Sequence, residues 1–189
     1  MPIHKIIPIK MKKDDMNLDD VQAFRCGSKP HETPLADWIK KHSADQIRGG
    51  TKVWLYRLEN KDGPLVGYGS ISTGKFKTTE PDDTEREVKM YEIPMLALHE
   101  DYWGMPPDIM NKEEKYSRQL VRDLQEKARE YQKLGQREPL LTLYVHPHAI
   151  AAQNLYLACG FSFADRFLSV PEVPPEIGPG LLGMEYEWC

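Results

Sequence analysis

Four side chains in this sequence are of types that move protons near neutral pH, and each sits at the edge of an apolar run. Tyr156 lies in the short stretch NLYLACGF, His99 closes MYEIPMLALHE, His146 closes LLTLYVHP, and Glu92 stands early in the first of those two runs. A phenol of pKa about 10 still holds its proton at pH 7 and can give it to a departing anion. A histidine titrates near neutrality and can take a proton from a nucleophile, as can a carboxylate acting directly or through water. Each also has a plain structural reading. Tyr156 can pack its helix onto a sheet, the histidines can be strand-end groups bonded to water, and Glu92 can be the solvent side of an alternating strand. Cys159, beside Gly160 on an apolar helix, reads as a structural thiol.

A second stretch raises a different chemistry. YWGMPPDIMNKEEKYSRQ, residues 102–119, carries the chain from a strand into a long helix, and the start of such a helix suits an anion. It has one glycine, Gly104, where backbone approach to phosphate usually needs several. If the helix starts after Asn111, Glu114 caps its first turn and repels an anion. If it starts near Tyr116–Ser117, then Lys112, Lys115 and Arg118 are free to surround one.

The elements that must hold these residues follow from pattern. IHKIIPI (residues 3–9) reads as an edge strand, because Pro8 cannot donate to a ladder. PLADWIKKHSADQIRGG reads as one helix ended by Gly49–Gly50. KVWLYRLE and PLVGYGSIS around NKDG read as a hairpin, and residues 75–87 as an exposed polar loop. MYEIPMLALHE and LLTLYVHP are near-continuous apolar strands with a helix over 112–134 between them. That helix carries the stripe Tyr116, Leu120, Val121, Leu124, Ala128 and Tyr131. AIAAQNLYLACGF is a short helix stopped by Gly160. FSFADRF and LGMEYEW are closing strands on either side of a proline-rich loop. The resulting order is that of an α/β fold with a mixed central sheet and helices on both faces, in a single domain over residues 1–189.

Bulk properties exclude some functions. The 189 residues carry a net charge of −4, so no global basic field recruits nucleic acid. No apolar run approaches the roughly 18 residues of a membrane span, and no signal-peptide core is present. Cys26, Cys159 and Cys189 have neither disulfide nor metal spacing, so no metal is expected, and a cytoplasmic protein is.

The piece LTLYVHPHAIAAQNLYLACGF, with MLALHEDYWG and the VGYGSIS hairpin before it, resembles the core of the GNAT N-acetyltransferases over about residues 20 to 188. The front half, with Phe24, Cys26, Gly27, Leu35, Trp38, Gln46 and Gly49 in order, is similar to the GNAT subgroup that contains toxins of toxin–antitoxin pairs, which acetylate aminoacyl-tRNA. The resemblance implies an N-acetyltransferase of the acyltransferase class. It would use acetyl-CoA and transfer the acetyl group directly to a primary amine on a small molecule, a peptide or an aminoacyl-tRNA. It implies Tyr156 as the acid that reprotonates the CoA sulfur, with Glu92, His99 or His146 as a base. It implies backbone contacts to the acyl arm from Ala97, Leu98 and His99. The family's glycine-rich phosphate loop would be replaced by Lys112, Lys115, Tyr116, Ser117 and Arg118. Two departures from the family pattern, the missing glycines and Ala149 in place of an asparagine, imply as an alternative a GNAT-fold binding or regulatory module without catalysis. For a tRNA acceptor the local basic candidates are Lys5, Lys10, Lys12, Lys13, Lys40, Lys41 and Arg48. A homodimer stays open.

Overall fold

The computed structural model describes residues 5–79, 84–106, 115–134, 138–164 and 181–188. It divides into two compact units: residues 1–71 with 95–124, and residues 72–94 with 125–189.

In the first unit, strand β1 (Ile6–Lys10) pairs antiparallel with β2 (Lys52–Leu58), which pairs with the first half of β3 (Leu65–Thr79). Pro8 sits in β1, which among the described residues pairs with β2 alone, so its missing donor costs the ladder nothing. The polar segment before Phe24 winds into a short 3₁₀ turn at Lys13–Asn17 and a one-turn helix α1 (Asp19–Gln22). The single helix expected over 34–48 is two, α2 (Thr33–Lys41) and α3 (Ser43–Arg48). The break falls where the buried Ser43 hydroxyl bonds back to the Ile39 carbonyl at 2.6 Å, a local bond that competes with a straight helix.

Of the front-half residues, Phe24, Cys26 and Trp38 are core, Gly27 and Leu35 are half-buried, and Gln46 and Gly49 are exposed. Phe24 meets Tyr68 edge-on at 5.5 Å, and Trp38 stacks on Tyr68 at 5.6 Å. The Tyr68 hydroxyl donates to the Leu35 carbonyl at 2.6 Å. Burial of these rings, with Val21, Ile39, Val53 and Val66, holds α1 and α2 against the sheet.

The apolar run 90–100 is not one strand. β4 (Glu85–Ile93) stops before Pro94, which has no N–H to continue a ladder, and a three-residue strand β5 (Leu96–Leu98) follows. β5 belongs to the first unit and pairs antiparallel with β3. Ser70 closes the start of this pairing: its N–H and its hydroxyl both donate to the Met95 carbonyl, and its hydroxyl oxygen accepts the Met95 N–H.

In the second unit, residues 75–79 and 85–87 of the polar segment expected to be a loop are strand. β3 runs on to Thr79 and pairs antiparallel with β4 from Ser72↔Glu92 to Thr79↔Glu85. β4 runs parallel to β6 (Leu140–Val145) over Tyr91–Ile93. β8 (Leu182–Glu187) then pairs antiparallel with β6 on one side and with β7 (Ser162–Phe163) on the other. The rest of FSFADRF and the proline-rich loop lie outside the described residues. Helix α5 (Ile150–Ala158) ends as expected at Gly160, in the left-handed region at φ 88°.

The long helix α4 is Tyr116–Leu134, four residues shorter at its start than expected. Its stripe is buried as the spacing predicts, with Leu120, Val121, Leu124 and Ala128 at 1% exposure or less. Gly67 and Gly69 on β3 admit this helix: a Cβ at Gly69 would stand 2.7 Å from Leu124 Cδ1.

Candidate active site

The catalytic and cofactor candidates fall into both units, and each set is described within its own unit.

In the first unit, the register of β5 decides which backbone groups are free. Ala97 stands opposite Tyr68, and the His99 N–H donates to the Val66 carbonyl at 2.7 Å. Hydrogen-bonded pairs alternate along an antiparallel ladder, so the Ala97 and His99 backbones are turned toward β3. That corrects the expectation that both could offer N–H groups to a cofactor. Leu98, opposite Gly67, is at a non-bonded position, and its N–H and C=O point off the other edge. The Trp103 indole N–H takes that carbonyl at 3.0 Å, leaving the Leu98 N–H as the outward donor of this pair of groups.

His99 also loses its freedom as a base. Its Nδ1 accepts the Asp101 N–H at 3.3 Å and lies 3.5 Å from the Asp101 carboxylate. Its ring sits edge-on to Phe24 at 5.4 Å and to Tyr102 at 6.2 Å. The side chain caps the turn Glu100–Tyr102 and packs on the core. Nor does His99 stand on a strand parallel to that of His146, as the sequence suggested: the parallel pairing belongs to β4, and His99 follows β5.

Tyr102 continues this aromatic row, meeting Tyr116 edge-on at 5.7 Å. Burial raises both phenols above their ordinary values, with Asp101 adding to the first and Tyr102 and Glu59 to the second. The row Phe24–His99–Tyr102–Tyr116 was not evident in the sequence. Helix α4 begins at Tyr116, whose N–H donates to the Met105 carbonyl at 3.4 Å. Lys115 precedes the helix and is exposed, while Ser117 and Arg118 are half-buried in its first turn. Of the two helix starts the sequence allowed, this is the one that does not use Glu114 as a cap. Lys112 and the two glutamates lie outside the described residues.

In the second unit, Tyr156 is buried on α5, edge-on to Phe161 at 5.9 Å. Its carbonyl accepts the N–H groups of Cys159 and Phe161, each at 3.0 Å, which turns the chain sharply after the helix. Burial, with Cys159 beside it, pushes the phenol well above its ordinary value, so Tyr156 keeps its proton. Gln125 donates to the Cys159 carbonyl at 2.9 Å and ties this turn to α4. The place of the expected asparagine is held by Ala149, and Gln153 donates to the carbonyls of His146 and Pro147 at 3.2 and 2.8 Å. The His146 ring is itself engaged: Nδ1 accepts the His148 N–H at 3.2 Å.

Glu92 is not a surface charge. Its Oε1 accepts the Ser72 hydroxyl at 3.3 Å. Burial raises the carboxyl above its usual range, and the Ser72 bond offsets part of that rise. The parallel register sets Glu92 beside Thr142, with Tyr144 on the same face. Ser72, Gly74 and Tyr144 are the residues here that the sequence reading missed. The signal was a lone tyrosine at the alternate position to Thr142 in an otherwise apolar strand.

The basic candidates on α2 and α3 are partly neutralised by neighbours one turn away. Lys41 pairs with Asp37 at 2.9 Å and Arg48 with Asp45 at 2.5 Å. Among the described residues no helix is long and apolar enough to cross a membrane.

The sequence matches no protein-family model and no curated protein. Solved structures share the fold. A Tyr-to-Phe variant of the toxin AtaT, bound to the C-terminus of the antitoxin AtaR and acetyl-CoA, aligns with a TM-score of 0.64 at 13% identity over 96% of this chain and 92% of that one. AtaT complexed with acetyl-methionyl-tRNAfMet aligns with a TM-score of 0.63 at 15% identity over 97% and 95%. An IAA acetyltransferase from Bacillus cereus ATCC 14579 aligns with a TM-score of 0.52 at 13% identity over 97% and 100%. These likenesses show the fold: the chain has the mixed α/β fold of the GNAT acetyltransferases, as the sequence motifs implied.

Proposed function

We propose that this protein is an N-acetyltransferase that moves an acetyl group from acetyl-CoA directly to a primary amine. The observation that carries the proposal is the buried Tyr156 on α5, whose phenol burial raises above its ordinary value, in a fold shared with a toxin solved with acetyl-CoA. The Leu98 N–H, which projects from the edge of β5 away from β3, suits an acyl or pantetheine carbonyl, and a helix starting at Tyr116 is the start that leaves room for a phosphate. Acetyl-CoA supplies the acetyl group as an activated thioester.

The chain's own residues then divide the proton work. Glu92, held by Ser72 in a half-buried setting that raises its carboxyl, takes a proton from the incoming ammonium and leaves a neutral, nucleophilic amine. Tyr156 gives its proton to the departing sulfur. The hydroxyl does not need to ionise before that step, so a raised value is compatible with an acid that is always loaded. His99 and His146, each occupied at Nδ1 by a backbone N–H, serve as turn caps.

Calorimetric titration with acetyl-CoA tests this reading, followed by turnover on a panel of small amines and peptides. Binding with turnover on any amine supports it. Absence of binding at millimolar acetyl-CoA overturns it and leaves the GNAT-fold binding module.

A second reading, acetylation of an aminoacyl-tRNA, is favoured by the likeness to AtaT complexed with acetyl-methionyl-tRNAfMet. It expects growth arrest on expression, relieved by Tyr156→Phe. Unrestricted growth of cells making soluble protein would remove it.

A further inference from the structure

We propose that Tyr144 and Glu92 form a binding site for a primary ammonium group, with Tyr144 as the residue that positions the amine. The inference rests on the amine-acetylating reading above and adds to it the residue that fixes the acceptor nitrogen.

Three observations carry it, all within the second unit. First, the Tyr144 hydroxyl is buried and has no hydrogen-bond partner among the described residues. Its ring packs on Met90, Leu140 and Ala164, so the oxygen is held in place, and leaving a buried hydroxyl unpaired is costly. Second, that hydroxyl has a carboxylate for a neighbour. Glu92 is paired in register with Thr142, two residues before Tyr144 on the same face, and the Glu92 charge contributes to raising the Tyr144 phenol. Thr142 does not satisfy either group, because its own hydroxyl turns to the Tyr91 carbonyl at 3.4 Å and toward the Met90 sulfur. Third, the carboxylate is given room. A Cβ at Gly74 would lie 2.9 Å from Glu92 Oε2, and among the described residues Ser72 is the one side-chain donor to Glu92.

The chemistry these groups share is acceptance. Glu92 offers carboxylate lone pairs, and the Tyr144 oxygen offers its own. A primary ammonium has three N–H donors and a positive charge. It can give one proton to each acceptor and keep the third directed elsewhere. It also offsets the desolvation of the carboxylate, which an uncharged ligand cannot. The charged groups flanking this face are Glu185, opposite Thr142 on β8, and Glu187, opposite Leu140; Arg86 of β4 is bound to Glu138. The face is therefore acidic beside the site. When Glu92 accepts the ammonium proton, the products are a neutral carboxyl and a neutral amine. Tyr144 still accepts one amine N–H and holds the nitrogen, while the new lone pair starts out facing the Glu92 carboxyl and is released for attack when the amine turns about that remaining bond.

The test uses the full chain and does not depend on turnover. Backbone amide shifts of Ser72, Gly74, Thr142 and Tyr144 are followed by NMR during titration with propylammonium chloride, with propanol at the same concentration as the uncharged control. The expected result is a saturable shift with propylammonium and none with propanol. Tyr144→Phe, which keeps the ring in its apolar seat, should weaken the binding roughly fivefold, the loss of one neutral hydrogen bond. Glu92→Gln should abolish it. Absence of a saturable shift in the wild-type chain, equal shifts with propanol, or equal affinity in Tyr144→Phe overturns the proposal. Should Tyr144→Phe unfold, the same titration of Gly74→Ala, whose new methyl displaces the carboxyl, decides instead: unchanged affinity overturns the site, and weakened affinity upholds it. Acetyl-CoA titration of the same sample separates the two readings. Lost cofactor binding with an intact ammonium response removes the transferase reading alone.

Discussion

The Ser72 hydroxyl donates to Glu92 Oε1 at 3.3 Å from the directly opposed position on β3. This bond stabilises the ionised carboxylate, but burial outweighs it and the carboxyl stays above its usual range. The folded state therefore holds the proton more tightly than the unfolded chain. The resulting stability is fully present below the unfolded carboxylate value and is lost as pH rises through the raised folded value. Glu92→Gln, which does not ionise, should be more stable than the wild type at pH 7, and the gap should shrink at pH 4. Urea midpoints at the two pH values measure it. An equal gap at both would show that Glu92 is solvated as an ordinary carboxylate.

A second relationship ties β2 to α4. The fully buried Tyr56 donates a hydrogen bond from its hydroxyl to Asp123 Oδ2 at 2.7 Å, and burial next to that charge pushes the phenol well above its ordinary value. Tyr56→Phe should cost about 1 kcal/mol, since Asp123 can reach water instead. Asp123→Ala should cost more, on the order of 1–3 kcal/mol, because it strands a buried hydroxyl. Chemical denaturation of the pair reads the asymmetry, and the reverse order would contradict it.

What the sequence revealed divides along range of interaction. The α4 stripe, the β2–β3 hairpin and the Gly160 stop depend on local periodicity and turn chemistry, and they appear where the pattern put them. The strand character of residues 75–79 and 85–87 was hidden. Those segments are charged and polar, and their ladder is specified by partners across the hairpin. The break at Ser43 depends on one side-chain bond to Ile39, which periodicity does not record. The candidate site followed the same rule. The place of Tyr156 on a short helix ended by Gly160 was legible from the residues around it. The Ser72–Glu92–Tyr144 grouping needs the parallel register of β4 with β6, a pairing between segments some fifty residues apart. His99 misled because its spacing fits a base equally well as a turn cap.

The two glycines of VGYGSIS make a sharper prediction about the register of β5 on β3. A Cβ at Gly67 would stand 2.5 Å from the Ala97 carbonyl oxygen and 2.9 Å from Leu120 Cδ2. Backbone cannot yield as a side chain can, so Gly67→Ala should force β5 away from β3 and cost about 1–3 kcal/mol. Gly69→Ala meets Leu124 side-chain atoms and should be milder. Thermal midpoints of the two variants give the order, and an unperturbed Gly67→Ala protein would mean that β5 is not held in this register.

Tyr156 is where stability and catalysis can be told apart. Its ring is in the core against Phe161, and no side-chain partner of the hydroxyl is found among the described residues that Phe would forfeit at large cost. Tyr156→Phe should therefore fold with a melting temperature near that of the wild type. If the phenol is the acid that protonates the CoA sulfur, turnover with any accepted amine should fall about a hundredfold, within the usual range for a lost general acid. The affinity for acetyl-CoA should stay the same, because the hydroxyl acts on the departing sulfur and not on the bound cofactor. The raised phenol adds a second readout: wild-type turnover should show no loss from Tyr156 ionisation up to the alkaline limit of folding, since Tyr156 keeps its proton throughout. Steady-state kinetics across pH, with calorimetry for acetyl-CoA, checks both parts. Unchanged turnover in Tyr156→Phe would return the residue to a packing role.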